Sequence, residues 1–314
     1  SETRSLAERV AVRLGVGLAP VEERDFEDGE HKARPLISVR GQDAYIVQAL
    51  GGDPKLSPND KLVRLLFLAS TLKENGARRV TAVIPYLAYA RKDRQTKSRD
   101  PLNARYMAQL IEAAGVDCVV CFENHNVVAF QNAFRIPTIH LDTRPVFMNR
   151  AVTLAGDDPV VVASPDPGGV KRAQLFREML ECRLGRAVGN ALLDKRRSAG
   201  KVSGDMLAGD VQGAKVIVVD DLVATGGTLA RAAARCRKEG AISVYAFAAH
   251  GLFVGDASKI LCPSQLEKLI ITDSLPPHRL DSSVLEKRVE IVSAAPLLAG
   301  AIRVLHEGGS ITSL

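Results

Sequence analysis

The residues best placed for chemistry lie in one short run. Val216-Ile217-Val218-Val219 is followed by Asp220-Asp221 and then by Thr225-Gly226-Gly227-Thr228. Four β-branched residues predict a buried parallel strand over 216–220, and the Thr-Gly-Gly-Thr turn opens a helix. Ligands of open α/β sheets bind beyond the carboxyl ends of the strands. There, glycines admit backbone N–H groups to a phosphate, hydroxyls add donors, and the helix N-terminus favours the anion. Two adjacent carboxylates suit the vicinal hydroxyls of a sugar. The run predicts a sugar-phosphate loop, against the plainer alternative of a glycine-rich strand-to-helix turn.

Other candidates are less specific when read alone. Arg91, Lys92, Asp93, Arg94, Lys97 and Arg99 concentrate charge directly after an apolar strand. They suit either a solvated loop or a triphosphate clamp, and a place at a strand's carboxyl end favours the clamp. Phe26, Asp28 and Glu30 combine an aromatic face with two acceptors, which fits an acidic surface turn or a seat for adenine. His125 follows another apolar strand, where a lone histidine is more often structural. Asp166 sits in a Pro-Asp-Pro-Gly-Gly turn, and Lys195 and Arg197 fall in the polar stretch 194–213. Such a stretch reads as an inert hairpin or as a loop that closes over substrate.

The elements that position these residues follow from apolar periodicity and punctuation. Strands are predicted over 44–48, 80–85, 118–122, 160–164, 216–220 and 243–248. Ser57-Pro58 supplies an N-cap and a first-turn proline, and Gly76 closes that helix. Asp100-Pro101 opens a second helix ending at Gly115, and a third runs from the glycine-rich turn to Gly240. Strand–helix alternation of this kind predicts parallel sheets covered by helices. The pattern runs twice, giving two similar doubly wound α/β domains over 1–142 and 143–292, with the last helix-like stretch within 293–314 packing back on the first.

Composition narrows the function. The chain has 314 residues, 46% hydrophobic and 25% charged, which excludes disorder and a disulfide scaffold. Its net charge of +6 comes without tryptophan and with only 4% aromatic residues, so base stacking has little material. Five cysteines, mostly in apolar runs, suit reduced buried thiols, and alternation puts Cys118 and Cys121 on opposite faces of one strand. The N-terminal residues do not read as a signal peptide, and no apolar run approaches a membrane span. A cytoplasmic protein with neither nucleic acid nor membrane as partner is expected.

The 216–229 run resembles the phosphoribosyl-pyrophosphate (PRPP) loop of the type I phosphoribosyltransferase fold, including the form in adenine phosphoribosyltransferases, which are far shorter chains. The rest of the sequence resembles the ribose-phosphate diphosphokinases, the PRPP synthetases. The resemblance is carried by Ala82–Arg94 with Lys97-Ser98-Arg99, by Phe26-Glu27-Asp28-Gly29-Glu30, by Ser164–Arg172, by Asp194-Lys195-Arg196-Arg197 and by Gly309-Ser310-Ile311-Thr312, in the family's order over nearly the whole chain. The family's first strand is missing or trimmed. The resemblance implies two phosphoribosyltransferase-type domains, the first on the nucleotide side and the second on the ribose 5-phosphate side. It also implies transfer of the diphosphoryl group of ATP to O1 of ribose 5-phosphate, giving PRPP and AMP.

Site residues carry over by motif. The resemblance implies Lys195, Arg197 and His125 as catalytic, and Phe26, Asp28, Glu30, Arg91, Lys92, Arg94 and His125 as the ATP side. Asp220, Asp221, Thr225, Gly226, Gly227 and Thr228 would hold ribose 5-phosphate. His125 and Asp166 would meet Mg²⁺, an ion that prefers oxygen ligands and shares few carboxylates with substrate phosphates. Arg99, Ser310 and Thr312 match a site for activating inorganic phosphate, and a homo-oligomer, dimer-based or hexameric, is implied as well. Four departures stand out. Lys92 replaces a usual Gln, Thr96 a customary Asp, and Ala224 the PRPP loop's third Asp, while Glu123-Asn124-His125-Asn126-Val127-Val128 replaces Asp-Leu-His-Ala-Ser-Gln. Two alternatives remain open: a transferase that consumes PRPP, and a catalytically weak regulatory subunit.

Overall fold

Alternating apolar strands and capped helices build two units, residues 1–142 with 294–314, and residues 143–293. The computed structural model describes residues 3–198 and 201–313; the side chains of 195–205 and of residue 313 are not among those described.

The first unit opens with α1 (Arg4–Leu14), then a two-stranded antiparallel hairpin of β1 (Val21–Asp25) and β2 (His31–Pro35). It continues with β3 (Asp43–Val47), α2 (Pro58–Glu74), β4 (Arg79–Ile84), α3 (Asn103–Ala113), β5 (Cys118–Phe122), α4 (Val127–Ala133) and β6 (Thr138–Leu141). The sheet order β3-β4-β5-β6 follows the chain, and every pair is parallel. The start of α2 obeys its punctuation. The Ser57 hydroxyl accepts from the Asp60 N–H at 3.2 Å while the Asp60 carboxylate accepts from the Ser57 N–H at 2.7 Å, with Pro58 in the first turn. Val80, Ala82 and Ile84 of β4 pack with Leu65 and Ala69 of α2 and Ile111 of α3 in one buried cluster.

The second unit comprises α5 (Arg144–Ala155), β7 (Val160–Ser164), α6 (Val170–Leu184), β8 (Gly189–Ser198), β9 (Lys201–Ala208), β10 (Lys215–Val223) and α7 (Gly227–Lys238). It ends with β11 (Ser243–Gly251), α8 (Ala257–Leu261), β12 (Lys268–Thr272), α9 (Ser282–Arg288) and β13 (Val289–Val292). Its seven strands run β13-β12-β11-β10-β7-β8-β9, parallel except for the β8–β9 hairpin. Both faces are buried. Val216 and Val218 face one cluster with Leu229 and Ala233 of α7, while Ile217 and Val219 face another with Phe176 of α6 and Phe247. Fully covered parallel strands read as continuous β-branched runs for this reason. The chain then returns to the first unit as α10 (Ala295–Glu307), which packs on α1.

Several expectations are corrected here. The second helix begins at Asn103, because the Asp100 carboxylate is engaged by Lys92, Thr96 and Lys97 and so does not cap it. Strand β10 extends through both carboxylates to Val223, so Asp220 and Asp221 lie within the strand end. Cys118, Cys121 and Cys236 are buried, but Cys182 and Cys262 are exposed. No helix among the described residues is long and apolar enough to cross a membrane.

Candidate active site

In the second unit the predicted sugar-phosphate residues collect where the sheet reverses direction. From β7 the chain moves to β8 on one side, and later resumes at β10 on the other. Crevices at such reversals, beyond the carboxyl ends of the strands, are where open α/β sheets bind ligands. Ala163 pairs with Val218, so Asp166 after β7 and Asp220-Asp221 in the last residues of β10 follow adjacent strands. Asp166 caps the short turn Pro167–Gly169, accepting from the Gly169 N–H at 3.0 Å, and its carbonyl accepts from the Ser164 hydroxyl at 2.6 Å.

The two carboxylates of β10 are unevenly exposed. Asp221 is buried, and the Asp221 N–H donates to Asp220 Oδ1 at 2.9 Å. Burial, together with the neighbouring Asp221 charge, pushes the Asp220 carboxyl up to about 8. Arg172 offers partial compensation, with Nη1 3.9 Å from an oxygen of each acid. Two carboxylates thus stand together at this end of β10, with one guanidinium near both. The pair fits a divalent cation, which prefers such oxygen donors, or sugar hydroxyls donating to both acids.

The loop that follows is packed against its neighbours at Gly226. Gly226 adopts φ +79°, and a side chain there would meet Leu261 at 2.8 Å, so only glycine fits. At Gly227, the first residue of α7, an added Cβ would make only ordinary contact, with Thr225 Oγ1 and Arg231 Nη1 at 3.5 Å. The Thr225 hydroxyl accepts from the Gly227 N–H at 3.4 Å, and Arg231 Nη2 donates to Thr228 Oγ1 at 3.4 Å. The Ala224 carbonyl, where a third Asp is usual, accepts from the Val254 N–H at 2.9 Å and ties the loop to the chain after β11. Lys195 and Arg197 belong to β8, hydrogen-bonded to β7 on its inner side, with a bulge between them; their side chains lie outside the described residues.

In the first unit the nucleotide-side candidates follow two neighbouring strands. The basic segment 91–99 leaves β4, and His125 leaves β5 before α4. Arg91, Arg94, Lys97 and Arg99 are exposed, and no acidic group among the described residues pairs with them. Lys92 differs. Its ammonium is 2.6 Å from Asp100. Asn126 joins the two loops, donating from Nδ2 to Asp93 at 2.6 Å while its Oδ1 accepts from the Ala129 N–H and caps α4. His125 is exposed beside it.

Phe26, Asp28 and Glu30 occupy the turn of the β1–β2 hairpin, which belongs to the separate small sheet. Phe26 is 38% exposed, its ring covered on one side by the Arg24 guanidinium 4.9 Å from the centroid. Asp28 Oδ1 accepts from the Glu30 N–H at 3.1 Å, leaving the Glu30 carboxylate outward. Ser310 and Thr312 follow α10 with their hydroxyls 2.7 Å apart. Among the described residues no three His, Cys, Asp or Glu side chains cluster as a protein-only metal cage. Arg24 carries a contact that sequence reasoning had given no role, while Arg172, Asp100 and Asn126 make contacts other than those their motifs suggested. The one signal for Arg24 was its adjacency to the Phe26 motif.

Comparison with known proteins covers nearly the whole chain. Residues 1–115 match a family model described as the N-terminal domain of ribose phosphate pyrophosphokinase, 146–251 a phosphoribosyl transferase domain, and 200–314 a phosphoribosyl synthetase-associated domain. A ribose-phosphate pyrophosphokinase of Caldanaerobacter subterraneus is 39% identical over 310 residues, covering 98% of this chain and 94% of its own. One from Aquifex aeolicus is 37% identical over 317 residues, covering 100% and 96%. The crystal structure of a phosphoribosylpyrophosphate synthetase from Mycobacterium smegmatis superposes with a TM-score of 0.87 at 33% identity, over 98% of this chain and 96% of that one.

Proposed function

The chain belongs to the ribose-phosphate pyrophosphokinase family, and on that premise we propose how its residues divide the work of that reaction. The diphosphoryl group of ATP passes to O1 of ribose 5-phosphate, giving PRPP and AMP. Asp220 and Asp221 hold the ribose hydroxyls, and Thr225 to Thr228 hold the 5-phosphate at the N-terminus of α7. Arg91, Arg94 and His125 face the ATP phosphates. Phe26 stacks on adenine, with Asp28 and Glu30 accepting from its amino group. The observation that carries this reading is the buried acid pair, with Asp220 raised by burial and by Asp221, beside a glycine turn that opens a helix where the strand order reverses.

Magnesium bound to the substrate phosphates would neutralise charge on the transferring group. Asp166 and His125 are the residues offered to the ion or its water shell, and the oxygen-rich donor set of the second unit fits its preference. Lys195 and Arg197 stabilise the charge that develops on the diphosphoryl group. Such transfers depend on positioning and electrostatics more than on covalent chemistry. Phosphorus NMR of the protein with Mg-ATP and ribose 5-phosphate tests the reading. PRPP and AMP should rise together, and absence of turnover would instead favour a regulatory subunit, the reading kept alive by Lys92, Thr96 and Ala224. We further propose a cytoplasmic homo-oligomer, and activation by inorganic phosphate at Arg99, Ser310 and Thr312. A rate indifferent to phosphate at saturating substrates rules that site out.

A further inference from the structure

We propose that Asp100 is a positioning residue for the phosphate-facing arginines of the loop between β4 and α3, with Lys92 as its counter-ion and not as a nucleotide ligand. The inference rests on the assignment of that loop to ATP made above. Asp100 Oδ2 gathers four donors: Lys92 Nζ at 2.6 Å, Thr96 Oγ1 at 2.7 Å, and the N–H groups of Lys97 and Thr96 at 3.0 and 3.1 Å. Its backbone closes the same turn, its N–H donating to the Lys97 carbonyl at 3.2 Å and its carbonyl accepting from Gln95 Nε2 at 2.8 Å. The Lys92 carbonyl accepts from the Ala104 N–H at 3.2 Å, in the first turn of α3. The Asp93–Asn126 bond fastens the loop again, beside His125.

The knot spans residues 92–100 and leaves Arg91, Arg94, Lys97 and Arg99 pointing to solvent. A chain segment with so many cations repels itself, and one internal carboxylate offsets part of that repulsion while fixing the backbone. The Lys92 ammonium and Thr96 hydroxyl hold the Asp100 carboxyl well below the usual range, which favours the charged form that these donors bind. Lys92 would have to break its pair to reach a phosphate. The two departures from the family pattern in this loop, Lys92 and Thr96, also meet here, both on Asp100 and 3.4 Å from each other. They act as one compensated exchange that pre-orders the loop and so lowers the ordering cost of ATP binding.

The test is a double-mutant cycle on the full chain, with Lys92→Gln, Asp100→Asn and the pair together. It is read as the Kd of Mg-ATP by calorimetry and as KM for each substrate. Each single change should weaken ATP binding by about tenfold, the pair no more than either alone, and KM for ribose 5-phosphate should hold within about twofold. Lys92→Arg, which keeps the ion pair, should restore most of the affinity, and Thr96→Val, which removes one donor, should give a smaller loss in the same direction. Losses that multiply, or a loss in Lys92→Gln with none in Asp100→Asn, overturn the inference, because Lys92 then touches ATP directly. Wild-type protein that binds Mg-ATP but makes no PRPP defeats the proposed function, while the cycle in Kd still decides the role of Asp100.

Discussion

Asp220 is held at a cost that substrate binding would relieve. Its carboxyl titrates near 8 in the folded chain, raised by burial and by Asp221, against an ordinary value of 3.8. Because the folded state holds a proton that the unfolded state has released between those values, stability falls as pH rises from about 4 to 8. Asp220→Asn keeps the oxygen that accepts from the Asp221 N–H and removes the charge. The variant should melt a few degrees above wild type at pH 8, with the gap closing toward pH 4, when thermal melts are followed without ligand. Its activity should fall by about tenfold to hundredfold, the loss expected for one hydrogen bond to a charged group. A variant that melts at or below wild type at pH 8 contradicts the charge argument. Lys195 and Arg197 answer to a different measurement. Replacing either with Ala should lower kcat by about 10²–10³ while ribose 5-phosphate binding changes little, since charge on the diphosphoryl group develops only during transfer. Comparable losses in both would remove them from that role.

The glycine turn between β10 and α7 separates two functions of the same residue type. Gly226→Ala places a Cβ 2.8 Å from the buried Leu261 side chain in a left-handed conformation. It should destabilise the second unit by about 1–3 kcal/mol, as overpacking does, and distort the turn. Gly227→Ala meets nothing closer than 3.5 Å, so its melting should stay near wild type while KM for ribose 5-phosphate rises. Equal stability losses in the two variants would mean that Gly227 is structural as well. This loop was legible in sequence because four β-branched residues, two acids and a glycine pair each demand the same local geometry. Elements whose residues answer to tertiary contacts were not. The β1–β2 hairpin, Val21–Asp25 with His31–Pro35, is mostly charged and lacks the apolar alternation that marks a strand. Asp100 before Pro101 looked like a helix cap because local rules weigh sequence neighbours, whereas its carboxylate is claimed by Lys92, eight residues earlier. For the same reason the contacts of Arg172 and Asn126, which cross between elements, could not be read although both residues lie in stretches the sequence singles out.

At the scale of the whole molecule, the first unit is discontinuous, and that has consequences for how its stability is distributed. Residues 294–314 belong with 1–142, and the chain builds all of the second unit before completing the first. Helix α10 buries Leu298, Ala299, Ala301 and Ile302, and α1 buries Leu6, Ala7, Val10 and Ala11 where the two helices pack. Polar contacts pin it further: Arg79 Nη2 donates to the Leu305 carbonyl at 3.2 Å, Arg303 Nη2 to the Arg13 carbonyl at 2.8 Å, and His306 stands edge-on to Tyr45. Burial of Leu298 and Ile302 alone is worth about 1.5–3 kcal/mol each. Removing residues 294–314 should therefore loosen the first unit selectively. Hydrogen exchange should quicken in α1 and at β3 and β4, where Tyr45 and Arg79 lose their partners, and stay slow in β7 and β10, whose core lies within 143–293. Binding should divide in the same way, with ATP affinity lost and ribose 5-phosphate affinity retained, measured by calorimetry for each substrate alone. Uniform acceleration of exchange across both units, or loss of both affinities together, would show instead that the two cores fold as one cooperative body and that the terminal helix supports each of them.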